Sequence, residues 1–316
     1  MREEIKNLLN NLGKEKTPTL FVIDFALENY YIKPLNELDS DVLFSIDKKL
    51  SSSSESIPYT FSSIPFKEYQ KAFFKVQEEI KKGNTYLLNL TFPSLLNIDA
   101  NLKTIYEISD ARFKLYFKDR FVCFSPERFV NIQNNTIYTY PMKGTIDATI
   151  KDAKEKILAN QKEMAEHVMV VDLLRNDLNL VGTNVKVEKF RYVEKIKAGS
   201  RELLQVSSKI SGKLEKNWQK NLGDIITKLL PAGSITGTPK KKTVQIIKEI
   251  EGYNRGFFTG VFGVFDGENL DSAVMIRFVE KQKNQLYYKS GGGITIDSDA
   301  QAEYHEMMEK VYVPIF

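Results

Sequence analysis

Asp266-Gly267-Glu268-Asn269 is the stretch that decides the fold. It separates two apolar, strand-like runs near residues 257–265 and 272–279, and an Asp-Gly turn in that setting predicts a β-hairpin. A hairpin joins antiparallel neighbours, so the sheet is not the parallel one built by repeated β-α crossovers. Upstream, strand signals appear at Thr85 to Phe92, Phe113 to Phe117, Phe121 to Phe124, Phe129 to Ile132 and Thr136 to Tyr140, with Asn134-Asn135 turning the chain into the last of these. Further strands are expected near 185–195, 203–210 and 285–290.

Helical periodicity alternates with these strands. Phe66, Tyr69, Phe73, Val76 and Ile80 recur on one helical face, which Lys81-Lys82-Gly83 brings to a stop. Other helices are expected at 151–160, 161–178, 218–230, 239–251 and 300–312. Residues 1 to about 60 read as a short, strand-rich opening with Thr19 to Phe25 as its clearest strand, closing in the serine run Ser51 to Ser54, an expected exposed loop. The expected class is α/β (α+β): large, mostly antiparallel sheets covered by helices, in a single domain spanning 1–316.

Composition narrows the function. The 316 residues are 42% apolar and 11% aromatic, as in ordinary globular chains, and 45 basic residues against 41 acidic ones argue against nucleic acid or a membrane surface as partner. The one cysteine, Cys123 in Phe121-Val122-Cys123-Phe124, reads as a buried small hydrophobe and suits a reducing, cytoplasmic setting. Two histidines, His167 and His305, are too few for a histidine-rich metal centre, so a bound metal would be a hard ion on carboxylates, such as Mg²⁺.

Five groups could carry chemistry. In Pro141-Met142-Lys143-Gly144-Thr145 a lysine sits in an expected Pro/Gly-bounded turn. Held and partly desolvated there, it could serve as a nucleophile; otherwise it is a solvated loop charge. Glu163 and Glu166 share one face of the 161–178 helix beside an apolar stripe of Met164, Val168, Val171 and Leu174, and Glu303 and Glu306 repeat the spacing on the last helix. These carboxylates could hold one Mg²⁺ or simply form solvated faces. Gly291-Gly292-Gly293, between a strand and a helix start with a capping box at Ser298-Asp299-Ala300-Gln301, either lets its amides approach a ligand or forms a flexible loop. In Gly233-Ser234-Ile235-Thr236-Gly237-Thr238-Pro239-Lys240, Thr238 is the expected N-cap, and lysines in the first turn suit a bound anion. The spacing is not that of a Walker loop, so the anion is expected to be a carboxylate. Arg277, expected to end an apolar strand, would be a buried ion partner or a ligand clamp.

These segments, together with Ser125-Pro126-Glu127-Arg128-Phe129 and Glu166 through Asp177, occur in the order found in chorismate-utilising enzymes. The resemblance spans about residues 65 to 312. Within that superfamily the lysine of the Pro-x-Lys-Gly-Thr segment resembles component I of aminodeoxychorismate synthases; anthranilate synthases usually carry alanine there. Isochorismate and salicylate synthases use a lysine base on an earlier strand, where this chain has Leu87.

The resemblance implies amination of chorismate at C4, toward para-aminobenzoate and folate. Lys143 would be the nucleophile and Glu127 the general acid. Mg²⁺ would sit on Glu166 and Glu306, with Glu163 and Glu303 as second or water-mediated ligands. Arg277, Ser234, Thr236 and the amides of Gly291, Gly292 and Gly293 would hold the substrate's carboxylates. Gln205 stands where many relatives have histidine, and Phe258 where they have tyrosine or tryptophan. Leu27-Glu28-Asn29 departs from the family's Leu-Glu-Ser element, so tryptophan inhibition is not expected. There is no glutaminase signature, so the implied nitrogen source is free ammonia or a separate glutamine amidotransferase subunit. The alternatives are an anthranilate synthase component I and a non-catalytic, anion-binding relative.

Overall fold

A computed structural model describes residues 1–47, 57–198 and 201–314. The serine run Ser51 to Ser54 lies outside them. The chain divides into two compact units, each assembled from three separate segments. The first comprises Met1–Leu38, Glu127–Ser234 and Gly260–Val274; the second comprises Asp39–Pro126, Ile235–Thr259 and Met275–Phe316.

The first unit is built on a sheet of nine strands among the described residues. The hairpin at Asp266–Asn269 forms as expected: Val261–Phe265 pairs antiparallel with Leu270–Val274, and Asp266 Oδ1 accepts the amides of Glu268 and Asn269 at 2.8 and 2.6 Å. On either side, Thr19–Ile23 adds to Val261–Phe265 and Arg128–Gln133 adds to Leu270–Val274. Helices Ala153–Ala159 and Gln161–Asn179 belong to this unit.

The opening of the chain is not only strands. Arg2–Lys14 is a helix burying Ile5, Leu9 and Gly13, and Ile5, Leu8, Leu9 and Leu12 do recur at helical spacing. It packs on the short 3-10 turn Trp218–Asn221 and the helix Leu222–Leu229 so closely that a Cβ on Gly13 would lie 2.0 Å from the Gln219 carbonyl oxygen, and one on Gly223 2.0 Å from that of Lys6.

The second unit holds an eight-stranded sheet, also antiparallel throughout. Its core gathers Leu96, Leu102, Ile105, Val122, Phe124, Val279 and Tyr288. Cys123 is buried as expected, and burial pushes its thiol well above the usual range. The helix Phe66–Lys81 buries Tyr69, Phe73, Val76 and Ile80, the face its periodicity indicates. A buried ion pair anchors the chain after helix Lys240–Glu251: the Arg255 guanidinium donates to both Glu251 oxygens at 2.6 and 2.8 Å and to the Asn89 carbonyl at 2.7 Å.

Three local expectations are corrected. Gly291–Gly293 is no loop but part of the ten-residue strand Gln285–Ile294, in register with Asn89–Thr91; a Cβ on Gly291 would lie 2.2 Å from the Leu90 carbonyl oxygen. Two N-caps fall one residue later than expected, at Asp299 and at Pro239, because Thr238 is already in a short strand paired with Leu87. Arg277 lies in a bend between Leu270–Val274 and Phe278–Gln282, with a left-handed φ of 53°, rather than at a strand end. Among the described residues no helix is long and apolar enough to cross a membrane.

Candidate active site

In the first unit Lys143 lies on the strand Met142–Asp147, not in a free turn. That strand pairs with Arg201–Lys213 at Met142↔Ser207 and again at Thr145↔Gln205, so the register slips across Lys143 and Gly144. Gly144 takes φ +91°, which glycine adopts at little cost, and a Cβ there would come within 3.1 Å of Glu163 Oε2. The bulge thus brings the lysine and the first carboxylate pair together. Lys143 Nζ is 2.6 Å from Glu166 Oε2, with the lysine side chain 23% and the glutamate 6% exposed. Lys162 Nζ approaches the other oxygen of Glu166 at 3.9 Å. Gln205 stands opposite Thr145 beside this bulge.

Helix Gln161–Asn179 presents these carboxylates because Asn160 caps it, accepting the Glu163 amide at 3.1 Å. Its buried face is Glu166, His167, Val170, Val171, Leu173, Leu174, Asp177 and Leu178. Val168, expected in the apolar stripe, is instead 45% exposed. His167 is fully buried, and burial, followed by the charge of Arg191, lowers its pKa to about 4. Glu127 directly precedes the strand Arg128–Gln133 and accepts a hydrogen bond from the Ser234 hydroxyl. Behind Ser234, Gly233 leaves room for Asp177: a Cβ there would be 2.7 Å from Asp177 Oδ2.

The second unit holds the other pair. Helix Ala300–Glu309 is capped by Asp299, which accepts the amides of Gln301 and Ala302. Glu303 is 3% exposed and accepts from Ser298 Oγ at 2.8 Å. A Cβ on Gly292 would lie 3.4 Å from Glu303 Oε2 and 3.7 Å from Glu306 Oε1, so both carboxylates converge on the glycine strand. Lys310 completes the cluster, with Nζ 2.6 Å from Glu306 Oε1 and 3.0 Å from the Gly291 carbonyl oxygen. Tyr69 is buried nearby; burial and then the charges of Glu303 and Glu306 push its phenol well above the usual range.

Pairing of Gln285–Ile294 with Phe278–Gln282 ends at Lys289, whereas pairing with Leu87–Ile98 continues through Ile294. Arg277 donates to the Lys310 carbonyl at 3.0 Å and stacks on Tyr312, 4.8 Å from the ring centre. Thr236 is buried, and its main-chain carbonyl accepts from the Asn89 amide at 3.2 Å. Phe258 is buried against Phe278.

Lys310, which the sequence reading left out, carries a signal four residues after Glu306, where a helical lysine meets a glutamate.

The described residues, with two antiparallel sheets and a carboxylate pair on a helix of each unit, match a known class. The chain belongs to the chorismate binding enzyme family, whose profile matches residues 24–315. It is 50% identical to a PabA-like protein of Haemophilus influenzae, over 97% of this chain and 95% of that one. It is 32% identical to aminodeoxychorismate synthase component 1 of Bacillus subtilis over 82% of this chain, and spans 58% of that protein. The solved anthranilate synthase component I of Streptococcus pneumoniae superposes with a TM-score of 0.68 at 26% identity, covering 83% of this chain and 60% of that one. The family expected from the sequence is the one found, as is the mixed fold with large antiparallel sheets.

Proposed function

We propose that this chain aminates chorismate at C4, giving 4-amino-4-deoxychorismate. The observation that carries the reading is Lys143, set in a strand bulge against a buried carboxylate in a chain of this family. As a neutral amine, Lys143 Nζ attacks C2 of the ring. The ring double bonds shift, the C4–O bond breaks, and Glu127 protonates the departing hydroxyl, which leaves as water. Ammonia then attacks C4, the double bonds shift back, and the bond from C2 to Lys143 breaks, freeing the lysine. Ser234 orients the Glu127 carboxyl through the hydrogen bond it already donates.

The donor set suits a hard ion. All four candidate ligands are carboxylates, and Glu166 and Glu306 each have a lysine Nζ 2.6 Å away. Among the described residues no three His, Cys, Asp or Glu side chains gather as a preformed metal site, so an ion on these carboxylates would have to keep waters and substrate oxygens, as Mg²⁺ does. Mg²⁺ on Glu166 and Glu306, with Glu163 and Glu303 bound directly or through water, would neutralise the ring carboxylate. Arg277, Thr236 and the open edge of Gly291, Gly292 and Gly293 would bind the remaining substrate oxygens. The ammonia is assigned to a glutamine amidotransferase partner, as befits a chain similar to a protein named component 1.

Incubation with chorismate, Mg²⁺ and ammonium at mildly alkaline pH, with products resolved by chromatography and mass, tests the reading. Aminodeoxychorismate is expected; chelating the metal should stop its formation, and Lys143→Ala should lower turnover at least about a thousandfold. Fluorescent anthranilate in its place would make the chain an anthranilate synthase component I. Chorismate binding without product would make it a non-catalytic relative.

A further inference from the structure

His167 is fully buried, directly follows Glu166, and has no part in the chemistry above. Its Nε2 is 2.7 Å from Ser208 Oγ. That oxygen also accepts the Arg191 amide at 2.9 Å, and the Ser208 amide donates to the Pro141 carbonyl at 2.9 Å. The Arg191 guanidinium in turn reaches the carbonyls of Leu158 and Ile157 at 3.0 and 3.2 Å. The imidazole lies against the main-chain carbonyl of Lys143, and its Nδ1 is buried without a hydrogen bond. One ring therefore meets the lysine strand, its partner strand Arg201–Lys213, and through Ser208 the strand Thr183–Ala198.

The place it occupies matters because the ladder fails there. Between Met142↔Ser207 and Thr145↔Gln205 the register slips across Lys143 and Gly144, and Gly144 at φ +91° adds freedom, so the regular ladder alone does not define this segment. A nucleophile displaced by an ångström loses much of its rate, so some other group must fix this segment. A ring that only filled space would be better apolar, since burying two ring nitrogens costs free energy unless their hydrogen bonds are used.

We infer that His167 is a positioning residue that locks the bulge presenting Lys143, with Ser208 as the anchor that orients its ring. In this arrangement Ser208 Oγ accepts the Arg191 amide and gives its own proton to Nε2. The ring proton is then on Nδ1, the donor available to the Lys143 carbonyl. The inference rests on Lys143 being the nucleophile for its kinetic consequence, but its structural content does not.

The test compares His167→Phe, which keeps a ring and removes both ring nitrogens, with His167→Gln and Ser208→Ala. Amide hydrogen exchange over residues 142–146 is read by mass spectrometry, beside kcat and KM for chorismate. In His167→Phe and Ser208→Ala, exchange over 142–146 should speed up at least about tenfold. The value of kcat should fall roughly ten- to hundredfold with KM within about threefold. His167→Gln should recover part of both. A folded His167→Phe with unchanged exchange and unchanged kcat would reduce the ring to a space filler. If no His167 variant folds, Ser208→Ala alone decides by the same criteria. Faster exchange in a chain that forms no aminodeoxychorismate would uphold the positioning role and reject the proposed reaction instead.

Discussion

Lys114 is 1% exposed; its ammonium donates to the carbonyls of Tyr106 and Ser109, each at 2.6 Å, lies over the Tyr106 ring, and among the described residues bonds no carboxylate. Burial lowers its pKa from 10.5 to about 8, against the weaker pull of Asp110 and Glu107. The unfolded chain therefore holds this proton more tightly, and the folded state gains stability as pH rises from about 8 to 10.5. At about 1.4 kcal/mol per pH unit the full change is about 3 kcal/mol. Denaturant titrations of the wild type and Lys114→Met across that range should show the wild type gaining on the variant as pH rises; a constant difference would mean the two carbonyl bonds already compensate the burial. Residue chemistry of this kind was only partly legible. The lysine of Pro141–Thr145 and both glutamate pairs stand out in the sequence, whereas the partners of Lys114 and His167 do not, because they come from other elements.

The crossing of Arg2–Lys14 with Leu222–Leu229 shows where element-scale reasoning falls short. Asn10 lies in the first helix but caps the second, its Oδ1 accepting the Gly223 and Asp224 amides at 2.7 and 3.3 Å and its Nδ2 donating to Asp224 at 2.7 Å. Gly13 and Gly223 are glycines because main chain from the neighbouring element fills the space where a Cβ would go. Gly223→Ala should force the helices apart and destabilise the fold by at least about 2 kcal/mol. Asn10→Ala, which leaves the helix N-terminus uncapped, should cost about 1 kcal/mol. Chemical denaturation measures both, and equal, negligible losses would mean the crossing is loose. The helical spacing of Ile5 to Leu12 was available in the sequence, and the strand-rich expectation overlooked it. The close approach was not available, since a glycine in a helical pattern looks the same whether it touches a neighbour or solvent.

On the scale of the whole molecule, each sheet is completed by distant segments. Thr19–Ile23 pairs with Val261–Phe265, more than two hundred residues on, and Leu270–Val274 lies between Val261–Phe265 and Arg128–Gln133. Loop closure on that scale must precede the contacts that reward it, so the units are expected to fold slowly and not piecemeal. A chain ending at residue 234 would lose two central strands of the first sheet and expose the edges of Thr19–Ile23 and Arg128–Gln133. Near-ultraviolet circular dichroism should show no fixed tertiary packing in that fragment, and a cooperative melt from it would contradict the dependence. The sequence by itself determined the class of fold, the hairpin, most helices and the identity of the charged groups, because periodicity and turn chemistry are local. It also carried the family, through motifs whose order survives without any structure. Only the tertiary structure decided that Lys143 stands in a bulge on a strand, that Gly291–Gly293 belongs to a sheet, and that a buried histidine meets the lysine's main chain. Register slips, close approaches and shared hydrogen bonds depend on which distant segment arrives alongside, and no local pattern records that.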